Sequence, residues 1–262
     1  MAKNPATEEC VHGFEPGMCA TCYPPPEPEK PLVTRRSPRT AAKSLRSPAP
    51  GATGKAAEVR PPNLPHRMFH VTHVSNLPAI LEAGELRPSS SASPVLKLAS
   101  AITDELRSTA PVDDSVSVAD CVPFSLSPLA TWWGEVQDGA AGPTWSDEAR
   151  AASTVDFVVL GVDLASVGDD LVVSDGDAAA VVTSLARSPE DRRRMLARAA
   201  SDAAVLQAAE ALVPGTVSLS SVALVAVANE PRRDEVRALL KSAGVSIKVA
   251  VYPPWFVPVV AE

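Results

Sequence analysis

The spacing of apolar positions changes several times along this chain, and the changes mark out its elements. Residues 69–86 read FHVTHVSNLPAILEAGEL. Phe69 and Val71 alternate with His70 and Thr72, which predicts a short strand. Asn76 then predicts a helix N-cap and Pro78 suits the first turn. Leu77, Ile80 and Leu81 follow at helical spacing until Gly84 ends the run. Leu96, Ala99, Ile102 and Leu106 predict a helix over 94–109. Residues 134–151 are polar and glycine-containing, and predict a loop. Segments 155–164 and 171–173 are apolar runs of strand length. Segment 189–200 is rich in helix formers. Segment 207–214 sets one glutamate among small apolar residues at a helix or strand edge. Segments 217–228 and 246–252 predict strands on either side of an amphipathic helix, 232–243, which Gly244 stops.

No such pattern exists before residue 64. Pro24, Pro25, Pro26, Pro28, Pro31, Pro38, Pro48, Pro50, Pro61 and Pro62 exclude helix and sheet, so 24–63 reads as a disordered linker. Arg35, Arg36, Arg39, Lys43 and Arg46 make it basic, either as an electrostatic tether along a polyanion or as a solvated spacer. Ahead of it, CVHGFEPGMCATC places Cys10, His12, Cys19 and Cys22 at a spacing that suits a closed tetrahedral zinc site. So short a segment has no core, and metal would be what folds it. The alternatives are a tail with incidental cysteines, or a redox pair lacking its strand–helix context. The predicted organisation is therefore a zinc-knuckle-like segment (1–23), the linker (24–63) and one globular domain (64–262).

Composition sharpens this division. The chain has 262 residues, 45% of them hydrophobic, enough for one core. Its net charge of −7 is uneven. Residues 1–62 hold nine Lys/Arg against six Asp/Glu, a net of +3, which leaves −10 on the remainder. An acidic domain does not attract nucleic acid at long range, and aromatics at 4% exclude base stacking as a general device. No signal-peptide-like start and no membrane-length apolar run is present, so the expectation is a cytoplasmic protein without a membrane partner.

Several side chains of the domain invite chemistry, each with a plain alternative. The strand of the opening block delivers His70, Thr72, His73 and Asn76 to a helix N-terminus, a place suited to phosphates; otherwise it is a surface turn with idle histidines. Lys97 and Arg107 are the notable cations of the next helix. Trp132 and Trp133 are core residues or a stacking wall. Cys121 is a buried thiol by default. Arg192, Arg193 and Arg194 meet phosphates or form a solvated face. Glu210, among small apolar neighbours, needs a partner or a task. No glycine-rich fingerprint follows a strand, which excludes a Rossmann site.

The block at 69–77 resembles the opening of the DarT-type ADP-ribosyltransferases, toxins that modify bases in single-stranded DNA. That family begins with an aromatic residue, His, an aliphatic residue, Thr, His, two variable positions and Asn-Leu. Its later blocks have counterparts in order: DCVPFSL at 120–126, SDGDAA at 174–179, QAAEALV at 207–213 and PPWF at 253–256. Two aromatic positions are replaced, by Cys121 and Ser125. The family's glutamine two residues before its glutamate is Ala208 here, with Gln207 one residue earlier.

The resemblance implies an α+β ADP-ribosyltransferase-like core of two small mixed sheets with peripheral helices. It implies NAD as a substrate, with ADP-ribose passed to a base in single-stranded DNA and nicotinamide released. Glu210 and Arg107 are the implied catalytic residues. His70, Val71, Thr72, Asn76, Ala79 and Arg87 are the implied NAD-binding residues. A macrodomain-type antitoxin is the implied protein partner. RNA or protein acceptors, or a lapsed enzyme that only binds nucleic acid, are the competing readings.

Overall fold

A computed structural model describes residues 64–257. The first long segment, β1 (Arg67–His73), leads through a 3-10 turn into α1 (Leu77–Ala83), β2 (Glu85–Leu86) and α2 (Ala101–Thr109). The chain continues through β3 (Cys121–Ser125), α3 (Thr131–Gln137), α4 (Asp147–Ala151), β4 (Phe157–Asp163), β5 (Val172–Ser174) and β6 (Leu185–Ala186). It closes with α5 (Pro189–Ser201), α6 (Ala203–Ala208), β7 (Glu210–Pro214), β8 (Val217–Ser218), β9 (Val222–Val227), α7 (Glu230–Ser242) and β10 (Lys248–Val251).

Eight strands form one mixed sheet in the order β10-β9-β4-β1-β3-β7-β5-β6, and β2 pairs with β8 in a separate ribbon. The expectation of two small sheets is corrected in this respect, and the pairing shows why. β1 runs antiparallel to β4 along its whole length, from Arg67↔Asp163 to His73↔Phe157. It meets β3 through the single pair Phe69↔Ser125. Two half-sheets thus share a single backbone rung, while their side chains pack into one core.

Apolar residues of β4 alternate between two cores, which explains its uninterrupted run. Val158, Leu160 and Val162 pack with Met68, Val225, Val236 and Leu240 on the α7 side. Phe157 and Val159 pack with Phe69, Trp133 and Phe256 on the other. A strand covered on both faces has no polar side to show.

Several sequence expectations change at element boundaries. The helix expected over 94–109 begins only at Ala101, because the Ser100 hydroxyl caps it by accepting from Thr103 N. Residues before it run extended, with Ala99 bridged to Trp145. Ile102 and Leu106 face solvent rather than the core. The loop expected over 134–151 contains α4 and most of α3, with Trp133 and Val136 buried. The strand expected over 217–228 is split into β8 and β9 by a 3-10 turn at Leu219–Ser221. Gly84 ends α1 in the left-handed conformation (φ 69°), which only glycine adopts freely. Arg192 is buried and donates to the carbonyls of Asp169, Leu171 and Arg187, while Arg194 pairs with Glu190 and Asp191. Those two arginines are structural. Among the described residues no helix is long and apolar enough to cross a membrane.

Candidate active site

All eight residues singled out for NAD binding and catalysis line one cleft of about 720 Å³. Strand alternation starts the construction. Phe69 and Val71 pack into one core, where Val71 also reaches the cleft wall, while His70 and Thr72 line the cleft from the other face of the strand. His70 Nδ1 lies 2.9 Å from the Pro123 carbonyl oxygen. A carbonyl can only accept, so Nδ1 carries the proton and Nε2 of the neutral ring is an acceptor. Burial lowers the His70 pKa and the Pro123 hydrogen bond only partly offsets it. The imidazole is held neutral.

Asn76 does not cap α1 with its side chain, contrary to the sequence expectation. Its Nδ2 donates to Thr72 Oγ1 at 3.0 Å and to Leu96 O at 2.8 Å, while Oδ1 accepts from Leu96 N at 3.0 Å. Both amide hydrogens are spent. Asn76 therefore shapes the cleft by tying the wall at Leu96 to β1. Ala79, on α1, lines the cleft nearby. Arg87 lies at the cleft rim, with Nε 2.9 Å from Glu85 Oε1.

Glu210 opens β7 and is 8% exposed. It faces Arg107, which α2 delivers from across the cleft. Nη2 donates to Oε2 at 3.0 Å and Nη1 to Oε1 at 3.4 Å. Asp177 Oδ1 lies 3.6 Å from Nη1, with a side chain 64% exposed at the cleft mouth. Burial disfavours the Arg107 charge, but the Glu210 and Asp177 carboxylates more than offset it, and the pKa is raised. Arg107 is a permanent cation, suited to orienting groups and stabilising charge rather than to taking protons.

The remaining walls separate residues that the sequence left undecided. Trp133 is core, donating through Nε1 to Trp255 O at 2.7 Å. Trp132 lines the cleft and donates to Ser125 Oγ at 2.8 Å. Burial pushes the Cys121 thiol up to about 11, so it stays protonated beside Arg107. Gln207 and Ala208 both border the cleft, so the displaced glutamine still reaches it. Sequence reasoning assigned no role to Ser174 or Asp177. The signals were their place in SDGDAA, the counterpart of a family block, and in Ser-Asp-Gly-Asp after an apolar strand, which also describes an ordinary turn. Among the described residues no group of His, Cys, Asp and Glu could hold a metal ion. Cys10, His12, Cys19 and Cys22, and the basic linker, lie outside the described residues.

Comparisons with known proteins bear on the family and the fold. The family described as "ssDNA thymidine ADP-ribosyltransferase, DarT" matches residues 69–257. Thermus sp. 2.9 DarT in complex with ADP-ribosylated ssDNA is similar with a TM-score of 0.63 and 21% identity, covering 73% of this chain and 96% of that one. Its complex with NAD+ gives 0.59 and 20%, covering 73% and 98%. Thermosipho africanus DarTG in complex with ADP-ribose gives 0.55 and 17%, covering 73% and 51%. At these identities the solved structures speak to the fold. No curated protein matches the sequence.

Proposed function

The chain belongs to the DarT family of single-stranded-DNA thymidine ADP-ribosyltransferases, and on that premise we propose how its cleft divides the work. The reaction is NAD-dependent transfer of ADP-ribose to single-stranded DNA, with thymidine as the proposed acceptor. One observation carries the assignment of residues. His70, Val71, Thr72, Asn76, Ala79, Arg87, Arg107 and Glu210, scattered along the sequence, line a single cleft with a buried carboxylate–guanidinium pair in it.

The bond between nicotinamide and ribose breaks with its electron pair leaving on the nicotinamide nitrogen. Positive charge then develops on the ribose, as in glycoside hydrolysis. Glu210 is the proposed stabiliser of that charge and the holder of a ribose hydroxyl. His70 accepts a hydrogen bond through Nε2 and Thr72 offers its hydroxyl, on the nicotinamide side. Val71 and Ala79 supply apolar wall, Asn76 fixes that wall, and Arg87 at the rim is available to the diphosphate. The acceptor base gives up its ring N–H proton to solvent as that nitrogen bonds the ribose, and Arg107 orients the base and balances the negative charge so exposed.

Zinc at Cys10, His12, Cys19 and Cys22 remains a proposal supported by their spacing, with about one ion per chain expected on metal analysis. A macrodomain-type antitoxin is the proposed protein partner, and the cytoplasm the proposed location.

The deciding experiment incubates the full chain with NAD+ and single-stranded oligonucleotides, with and without thymidine, beside RNA and protein acceptors. Nicotinamide release with a mass gain on thymidine-containing DNA is expected. Modification confined to RNA or protein, or no turnover at all, would overturn the assignment.

A further inference from the structure

The strand β5 ends on a side chain that its neighbours do not explain. Val172 and Val173 are apolar and buried, yet the next residue, Ser174, is a hydroxyl with no exposure at all. A polar group is buried at a cost unless it is hydrogen-bonded. Here the hydrogen bonds of the hydroxyl go to Glu210 and to the turn before Asp177. The antiparallel register of β5 with β7 runs Val172↔Leu212 and Val173↔Ala211, and stops there. One step further, Ser174 would face Glu210. In place of that rung the hydroxyl accepts from Glu210 N at 3.1 Å. Its own proton goes to Gly176 O at 2.6 Å, a better acceptor distance than the 3.3 Å to Glu210 O.

We infer that Ser174 is a positioning residue for Glu210, joining the first residue of β7 to the turn that carries Asp177. Gly176 immediately precedes Asp177, and Asp177 and Glu210 both present a carboxylate to Arg107. One hydroxyl thus fixes the backbone under both carboxylates relative to one guanidinium. This role goes beyond the reading of Glu210 as the charge-stabilising residue and rests on it. A carboxylate misplaced by a fraction of an ångström still binds ground-state NAD but meets the developing charge badly. Misplacement of about 1 Å can cost on the order of 10²-fold in rate.

The test compares Ser174→Ala, Ser174→Thr and Ser174→Cys in the full chain. Melting temperature, KM for NAD+ and kcat for nicotinamide release are measured at a temperature where each variant is folded. Ser174→Ala should lower kcat by about 10-fold or more with KM changed less than about twofold, in line with loss of orientation rather than binding. Ser174→Thr keeps the hydroxyl and should recover most of kcat. Ser174→Cys fills the space with a weak acceptor and should stay slow, which preserves the test if the alanine variant does not fold. An unchanged kcat in folded Ser174→Ala or Ser174→Cys overturns the inference, as does a kcat loss that threonine fails to recover. If the wild-type chain turns over NAD+ and the variants match it, only the role of Ser174 falls. If the wild-type chain has no turnover, the catalytic reading of Glu210 falls with it.

Discussion

Glu210 serves two masters at the scale of single residues, and this changes what its replacement measures. Its carboxylate is the main partner of a guanidinium only 15% exposed. Removing one member of a buried pair commonly costs about 3–5 kcal/mol, and Asp177 remains to soften the loss here. Glu210→Gln should therefore lower the melting temperature as well as the rate, the latter by about 10² to 10³. A double variant, Arg107→Gln with Glu210→Gln, separates the effects. It should regain stability over Glu210→Gln alone but no activity. Regained turnover would show that the carboxylate was never catalytic. Asp177 works differently, since its largely exposed carboxylate stands beside Arg107 on the cleft, where an incoming anionic strand would meet it. Asp177→Asn leaves Arg107 its bidentate partner and removes a repulsive charge. Tighter binding of short oligonucleotides is expected, most visibly at low salt. Weaker binding in titrations from low to moderate salt would contradict this.

At the scale of elements, α2 stands apart because none of its residues is buried. It holds its place through polar links: Arg107 to Glu210, Lys97 to Asp104, and Thr103 Oγ1 to Thr144 O at 2.8 Å. By contrast α7 buries Val236 and Leu240. Amides of α2 should exchange hydrogen much faster than those of α7, and faster still in Glu210→Gln, while α7 stays unchanged. Equal protection of the two helices, read by exchange mass spectrometry, would count against polar anchorage. The same contrast explains what the sequence could tell. A strand such as β4 was legible because two covered faces make an unbroken apolar run, whereas β2, β3 and β6 were not predicted from spacing. The helix at 94–109 was misread because Leu96 and Ala99 lie before a serine cap, and spacing cannot see where a cap falls. The helices α3 and α4 were missed because each is short, one carries Gly134 and the other is largely polar. The cleft residues were legible through the family's motif, not through periodicity. Ser174 was not legible, since a buried hydroxyl and an exposed one read alike.

At the scale of the whole molecule, charge and pH act on separate parts. Residues 1–62 carry a net +3 and the rest −10. Neutralising Arg35, Arg36, Arg39, Lys43 and Arg46 should weaken single-stranded-DNA binding and flatten its salt dependence. Identical salt slopes with and without these charges would exclude them from binding. For pH, His70 and His73 both have lowered pKa values, in each case chiefly by burial. The unfolded chain, with histidines near 6.5, then binds more protons than the folded one. Stability is full above about pH 6.5 and declines as pH falls towards the lowered folded values. A melting temperature that falls between about pH 7 and pH 5.5 is expected, and less so in His70→Gln. A flat profile would mean that neither ring is held neutral.

A sheet crossed by one rung has a weak axis. On one side of Phe69↔Ser125 lie β10, β9, β4 and β1, and on the other β3, β7, β5 and β6. His70 and Thr72 belong to the first plate, Glu210 to the second, and the cleft spans the line between them. Few ladder bonds cross that line, so side chains hold the plates together: Met68, Leu160 and Val225 of the first share one core with Phe124, Val173 and Ala211 of the second. A change of packing there shifts His70 and Thr72 against Glu210, so the two sides of the cleft are set through the core rather than through the ladder.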